Sequence, residues 1–352
     1  MKRTKLPALL LALALAFSLA ACGGNDLPAE TSAPPETTQP AETGTPAPTP
    51  TEATTTRVTV LNGPTGVGAS KLLSDIDAGT AAQDYTYNIA ATNDELTAML
   101  SNGETDIATM ASNTALNYYN KTDGSVTAIA LGTLGVLHIL ESGGGTSIQS
   151  VADLAGKTIL SPGQGSNPEY ILRYILSENG LNPDTDVTLE FYTDASEITA
   201  KLLSGEAECA MLPVPAATAA VAKSEGSVRA ALDMTEEWDA LNTDSQLIMT
   251  AVVVRTEFLT EHPEAVDAFL TEYAASIEYV NSNVEAAAEL VAGYGFAPSA
   301  AIAAKAIPQC HLVCITGADM QPAIDGYYAV LFEANPDSIG GSRPDDAFYY
   351  VP

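Results

Sequence analysis

Along most of this chain, short apolar runs bounded by Gly, Pro, Asn and Ser alternate with longer segments whose apolar residues recur at helical spacing. The first unit reads as a strand at 58–61, a glycine-rich turn at 62–66 and a helix at 67–77. A strand at 85–91 follows, then a helix at 94–101 whose Leu96, Met99 and Leu100 share one face, then a strand at 106–110. That strand runs into Ala111, Ser112, Asn113 and Thr114, the polar start of another helix. The plan returns downstream: a strand in KTILS, a turn at 162–166, a helix at 168–177, a strand at 187–192, a helix at 195–203 and a strand at 208–212. Strands that alternate with helices imply a parallel sheet in each of two lobes.

The return is written in the residues themselves. ELTAMLSNGETDIATM, starting at Glu95, matches EITAKLLSGEAECAML, starting at Glu197. Thr97/Thr199, Leu100/Leu202, Gly103/Gly205, Glu104/Glu206 and Ala108/Ala210 are identical at that same offset. The expected fold is therefore α/β: two similar lobes with mainly parallel sheets, joined by two crossing strands in the apolar runs 125–142 and 246–256. Lobe 1 takes 57–137 and 248–352, and lobe 2 takes 138–247. Two crossings make a hinge about which the lobes rotate. His262 and Pro263 open a tail helix striped by Val266, Phe269, Leu270, Tyr273 and Ile277; further helices at 284–292 and 319–333 are expected on lobe 1.

The start of the chain sets the compartment. Lys2, Arg3 and Lys5 precede an apolar run at 6–19 that is too short to span a bilayer, which makes 1–21 an export signal. LAAC, ending in Cys22, resembles a bacterial lipobox, in which the chain is cut before the cysteine and the cysteine is lipidated. Residues 22–56 then hold almost nothing but Pro, Thr, Ala and Glu, a tether without apolar surface to bury. The net charge of −30 becomes more negative once the signal is lost, which argues against nucleic acid as a partner.

Candidate chemistry is sparse. GPTGVGAS at 63–70 has the glycine spacing of a nucleotide-binding loop, but Ala69 stands where that loop needs lysine. What remains is a small-residue turn whose backbone N–H groups a ligand can approach at a helix start. SPGQGSNPEY gives the second lobe a matching turn, with Ser166 or Asn167 as cap and Pro168 at the first helical position. No nucleophile elbow or Ser-x-x-Lys pair occurs, and His138, His262 and His311 are the only imidazoles. Cys209 replaces Ile107 in the repeat and reads as a core thiol; Cys310 and Cys314 around His311 suit a disulfide, half a metal site, or packing. Tyr118, Tyr119, Tyr170, Tyr192 and Trp238 could stack on a flat ligand or fill the core.

The order of GPTGVGASKLL, LSNGETDIATM, TLGVLHILES, SVADLAGKTI with GQGSNPEYILRYIL, LLSGEAECAMLPVP and TEFLTEHPEAVDAFLTEY resembles the substrate-binding lipoproteins of bacterial ABC importers. The resemblance is to the type II binding-protein family that includes sulfonate, nitrate, taurine and thiamine-precursor binders. It implies a monomeric, extracytoplasmic protein, anchored to the cell membrane by lipid on Cys22. Such a protein captures a small solute between its lobes and delivers it to a permease driven by a separate ATPase, with no cofactor, metal or catalysis. By position the ligand loops of the family fall on Thr65, Gly66, Ser112, Asn113, Gln164, Gly165, Ser166, Pro213 and Val214. Sulfonate and nitrate binders often use a basic side chain, whereas the cations nearest these loops, Lys71 and Arg173, lie a turn or more into helices. A neutral, zwitterionic or aromatic solute fits at least as well. The alternatives are an enzyme on the same architecture, of the pyrimidine-synthesising or chorismate-processing type, and a ligand sensor.

Overall fold

The computed structural model describes residues 54–241 and 244–352, so the expected signal, Cys22 and nearly all of the tether lie outside the described residues. The chain runs β1 (Thr56–Leu61), α1 (Pro64–Val67), α2 (Ser70–Ala78), β2 (Tyr85–Ala90), α3 (Asn93–Ser101), β3 (Ile107–Ala111), α4 (Ser112–Lys121) and β4 (Val126–Thr133). It continues through β5 (Leu137–Glu141), β6 (Thr158–Pro162), α5 (Asn167–Glu178), β7 (Thr188–Tyr192), α6 (Ala195–Ser204), β8 (Cys209–Pro213), α7 (Ala216–Lys223), β9 (Arg229–Asp233) and α8 (Met234–Asp239). The remainder is β10 (Thr250–Arg255), α9 (Thr256–Glu261), α10 (Pro263–Ser282), α11 (Val284–Gly293), α12 (Ala300–Ala306), β11 (Leu312–Ile315) and α13 (Met320–Ala334).

The strands form two sheets, ordered β11-β4-β10-β3-β1-β2 and β7-β6-β8-β5-β9. The repeat is visible in both. β1 pairs in parallel with β2 and β3, and β6 pairs in parallel with β7 and β8. Even the helix starts agree: Thr92 Oγ1 accepts from Glu95 N–H at α3, and Asp194 accepts from Ser196 N–H at α6. The buried pair Leu96 and Leu100 is matched by Ile198 and Leu202, so both copies lay the same helical stripe on their sheet.

Beyond the repeat the sheets are mixed. β10 runs antiparallel between β3 and β4, and β5 antiparallel between β8 and β9. The apolar runs expected to cross do carry the chain between the two sheets, each through a short stretch beside its strands. The first splits into β4 in one sheet and β5 in the other, so the crossing is the short segment 134–136, which contains Gly135. The return is made before Thr250, and β10 lies wholly in the first sheet. Gly135 is required at its place, since a Cβ there would lie 2.1 Å from Thr235 Oγ1. The crossings are stitched together by Leu134 N–H to His311 O at 3.2 Å, Met249 N–H to Thr133 O at 2.8 Å and Val214 N–H to Val136 O at 2.9 Å.

The helix expected at 67–77 is two, α1 and α2, broken at Gly68. CHLVC contributes β11, an edge strand, and Cys209, Cys310 and Cys314 are all free thiols. Among the described residues no group of three His, Cys, Asp or Glu could hold a metal, and no helix is long and apolar enough to cross a membrane. One continuous apolar core runs from the first sheet through Ile139 and Ile159 of the second and Ile171 of α5; a separate cluster with Leu140, Ile198 and Leu212 lies under α6 and α7.

Inside the first sheet Asp106 is fully buried and ties three strands together. It accepts from Arg57 N–H at 3.0 Å and Arg57 Nε at 2.8 Å in β1, and from Arg255 Nη2 at 3.0 Å in β10. Burial pushes its carboxyl up, but the two guanidinium groups outweigh burial and hold it below the usual carboxylate range.

Candidate functional site

The C-terminal ends of β1, β3, β6 and β8 point at the seam between the sheets, where ligands bind in open α/β folds. At this seam α4 and α5 start opposite one another. Asn113 N–H reaches Asn167 Oδ1 at 3.4 Å, and Asn113 Nδ2 reaches Gly165 O at 3.5 Å and Ser338 O at 3.1 Å. Asn167 Nδ2 donates to Ser112 Oγ at 3.1 Å and to Met249 O at 2.8 Å, while Tyr327 O–H donates to Asn167 Oδ1 at 2.8 Å. Tyr328 O–H donates to Ser112 O at 2.9 Å, and Ser112 Oγ donates to Ile248 O.

Ser112, Asn113 and Gly165 are thus brought together, and the remaining candidate residues are placed around or away from them. Ser166 caps its own turn, its Oγ donating to Gly163 O at 3.1 Å. Gln164 is exposed beside it. Val214 is buried and faces the crossing segment through its backbone; Pro213 ends β8 next to it. Thr65 donates back to Leu61 O at 2.7 Å, and Gly66 lies under the Phe296 ring, 2.3 Å from where a Cβ would be. The first glycine turn is therefore covered by the tail, and the turn opposite 162–166 is 111–114.

Two features of the seam had no sequence signal. Asn167 looks like an ordinary cap between Ser166 and Pro168, yet its side chain leaves the helix start and bonds four groups of the other lobe. Tyr327 and Tyr328 belong to α13 and look like core residues by spacing. Trp238 is buried between Tyr174 and Tyr327, with ring centroids 5.1 and 5.6 Å away, and so packs the junction rather than lying open to a ligand.

Several polar atoms at the seam are left over. Asn113 is 1% exposed, and its Oδ1 has no hydrogen-bond partner. The orientation of this amide is set by the two carbonyls that its nitrogen faces, so the orphan atom is an acceptor. Thr250 Oγ1, at the same end of the first sheet, and Thr235 Oγ1, against Gly135, are also buried without a partner. Such atoms cost free energy unless something bonds them.

The charges nearby are spent. Lys71 pairs with Asp75, and Arg173 is held by Glu169 at 2.8 Å and Asp184 at 2.7 Å. Burial lowers the His138 pKa, with Asp233 at 4.0 Å opposing it and His311 adding to it. His311 Nδ1 lies 2.6 Å from Gly135 O, and since a carbonyl only accepts, that nitrogen carries the proton. Burial raises the thiols to about 12 for Cys209 and Cys310 and about 11 for Cys314, so these three cysteines are protonated at neutral pH.

No curated protein sequence matches this chain. Among solved structures it is similar to an ABC transporter from Parabacteroides distasonis, with TM-score 0.69 and 23% identity over 84% of this chain and 98% of the other. It is also similar to the periplasmic aliphatic sulphonate binding protein SsuA from Escherichia coli, with TM-score 0.64 and 16% identity over 83% and 95%. A third is the alkanesulfonate-binding protein SsuA from Xanthomonas axonopodis pv. citri bound to MOPS, with TM-score 0.60 and 14% identity over 82% and 95%. These likenesses identify the two-lobed type II periplasmic-binding-protein fold. A family model described as NMT1/THI5 like matches residues 84–287, more than half of the sequence, and the chain belongs to that family.

Proposed function

We propose that this protein is the extracytoplasmic solute-binding component of an ABC import system, which captures a small molecule at the seam between its lobes and hands it to a membrane permease. In this reading lipid on Cys22 and the tether 22–56 hold a monomeric body, with lobe 1 at 57–137 and 248–352 and lobe 2 at 138–247, close to the membrane. It acts without a cofactor and without catalysis. The observation that carries the proposal is the Oδ1 of Asn113, a buried acceptor without a partner where the two lobes meet. A solute that presents an N–H or O–H there supplies the missing bond, and both lobes then close on it.

The same atom bears on the choice of solute. The structural relatives named for sulphonates bind anions, but an orphan acceptor repels an anionic oxygen, and Lys71 and Arg173 already pair with carboxylates. A neutral, zwitterionic or aromatic solute with a donor group suits the seam better; in our reading Ser112, Gly165 and Ser166 serve as its polar neighbours, with Thr65, Gly66, Gln164, Pro213 and Val214 in loops further out. The enzymatic alternative finds little chemistry here, because the thiols are protonated and His311 donates to a backbone carbonyl.

A thermal-shift panel of aminopyrimidines, amino acids, aromatic acids, sulfonates and inorganic oxyanions tests this. A solute present at one hundred times its dissociation constant adds about 2.7 kcal/mol to stability. The expected result is a shift with a donor-bearing solute that is lost in Asn113→Leu. Silence across the whole panel, or an undiminished shift in that variant, would count against the assignment.

A further inference from the structure

We propose a second small-molecule site, beside the seam and independent of the solute assignment above, that takes a short monocarboxylate with an apolar body. A cavity of about 450 Å³ lies between α7, β5 and β9 of the second lobe and the end of α12 from the first. That volume is in the range of ordinary ligand pockets, roughly 300–1,000 Å³. Its apolar lining has Leu140 and Ala217 buried and Val221 and Ala222 exposed beside them. Val221 is one of the few large apolar side chains of the described residues that remain exposed, at 36%.

The rim supplies donors. Lys305 lies on it, and among the described residues no carboxylate stands within ion-pair distance of its amine, in contrast to Lys71, Lys157 and Lys201. Thr218 contributes a buried Oγ1 with no hydrogen-bond partner, and His138 closes the side nearest the seam. A positive head group, an unused hydroxyl and an apolar lining together match a carboxylate joined to an alkyl chain or ring. The net charge of −30 opposes any anion at long range, but at physiological ionic strength the Debye length is about 8 Å, so the local lysine decides. Because the walls come from both lobes, an occupant binds best when the seam is closed and so favours closure.

Calorimetric titration of the full chain with hexanoate, hexylamine and hexan-1-ol at physiological salt provides the test. Saturable binding of hexanoate is expected, with hexanol weaker and hexylamine without effect. Lys305→Glu, an exposed substitution that the fold tolerates, should weaken hexanoate by about tenfold or more. Ala222→Trp should block the cavity, while Lys305→Glu should leave the thermal shift given by the central solute unchanged, which separates this site from the seam. Hexylamine binding as tightly as hexanoate, full affinity in Lys305→Glu, or no saturable hexanoate binding would each overturn the proposal.

Discussion

Replacing Asp106 by alanine is expected to lower the stability of the folded body by about 3 kcal/mol, read as a drop of about 5 °C in the unfolding midpoint of a chain this long. Asp106 is fully buried and accepts from Arg57 through backbone and side chain and from Arg255, so it clamps β1 and β10 to the start of β3. Breaking a buried ion pair by removing one partner costs about 3–5 kcal/mol, because the remaining charge loses its counter-ion in a poor solvent. Here the figure belongs at the lower end. The arginine side chains are 38% and 22% exposed and can turn toward water. Asp106→Asn keeps the volume and one acceptor oxygen, and should lose less.

The acid dependence follows from the direction in which this carboxyl is shifted. Its folded pKa lies below the ordinary value of about 3.9, so its stabilisation is complete above that value and is lost as pH falls through the folded one. The difference between wild type and Asp106→Ala should therefore be flat from neutral pH down to about pH 5 and shrink below pH 4. Glu141, lowered in the same sense by Ser147 and Arg229 against the pull of burial, is unchanged in both proteins and drops out of the difference. A denaturant series at several pH values measures this. A gap that stayed constant into strong acid would mean that the arginines do not depend on this carboxylate.

Much of this architecture was legible because the chain states it twice. Glu95 and Glu197 sit in the first turns of matched helices, Ile107 and Cys209 begin matched strands, and a fixed offset carries each local signal from one lobe to the other. Caps and apolar stripes are local properties, so a sequence displays them directly. The seam is of another kind. Phe296 covers Gly66 from far along the chain, Tyr327 meets Asn167, and neither contact follows from periodicity. CHLVC invited a chemical reading through its two cysteines, while its physical role is an edge strand whose Leu312 is buried. The same reasoning explains why the sequence points to Asn113 but gives Asn167 only the role of a cap. One begins a turn at a strand end, and the other acts through partners contributed by the opposite lobe.

Asn167→Ala should consequently open the protein rather than unfold it. The side chain makes four hydrogen bonds, to Asn113, Ser112, Met249 and Tyr327, and all four partners belong to the chain segments that build the first lobe, whereas Asn167 starts a helix of the second. Each bond is worth about 1 kcal/mol net, with the 3.4 Å contact to Asn113 contributing least, so the loss is about 3 kcal/mol. That loss bears on the equilibrium between closed and open lobes, since nothing inside either sheet is touched. At 1.4 kcal/mol per factor of ten, the closed form becomes more than one hundredfold less favoured. Separated lobes let water reach Ser112 Oγ, Met249 O and Tyr327 O–H, so the variant avoids the cost of leaving them buried and unpaired. Small-angle scattering should then report a larger radius of gyration, and Trp238, packed against Tyr327 on one side and Tyr174 on the other, should change its emission without loss of helical signal. The solute found in the panel should restore the compact form at high concentration, because it binds the closed state and draws the equilibrium back. A variant that unfolds cooperatively with unchanged native dimensions would mean that these bonds hold the second lobe itself together, and the seam would then be a rigid joint rather than a closing one.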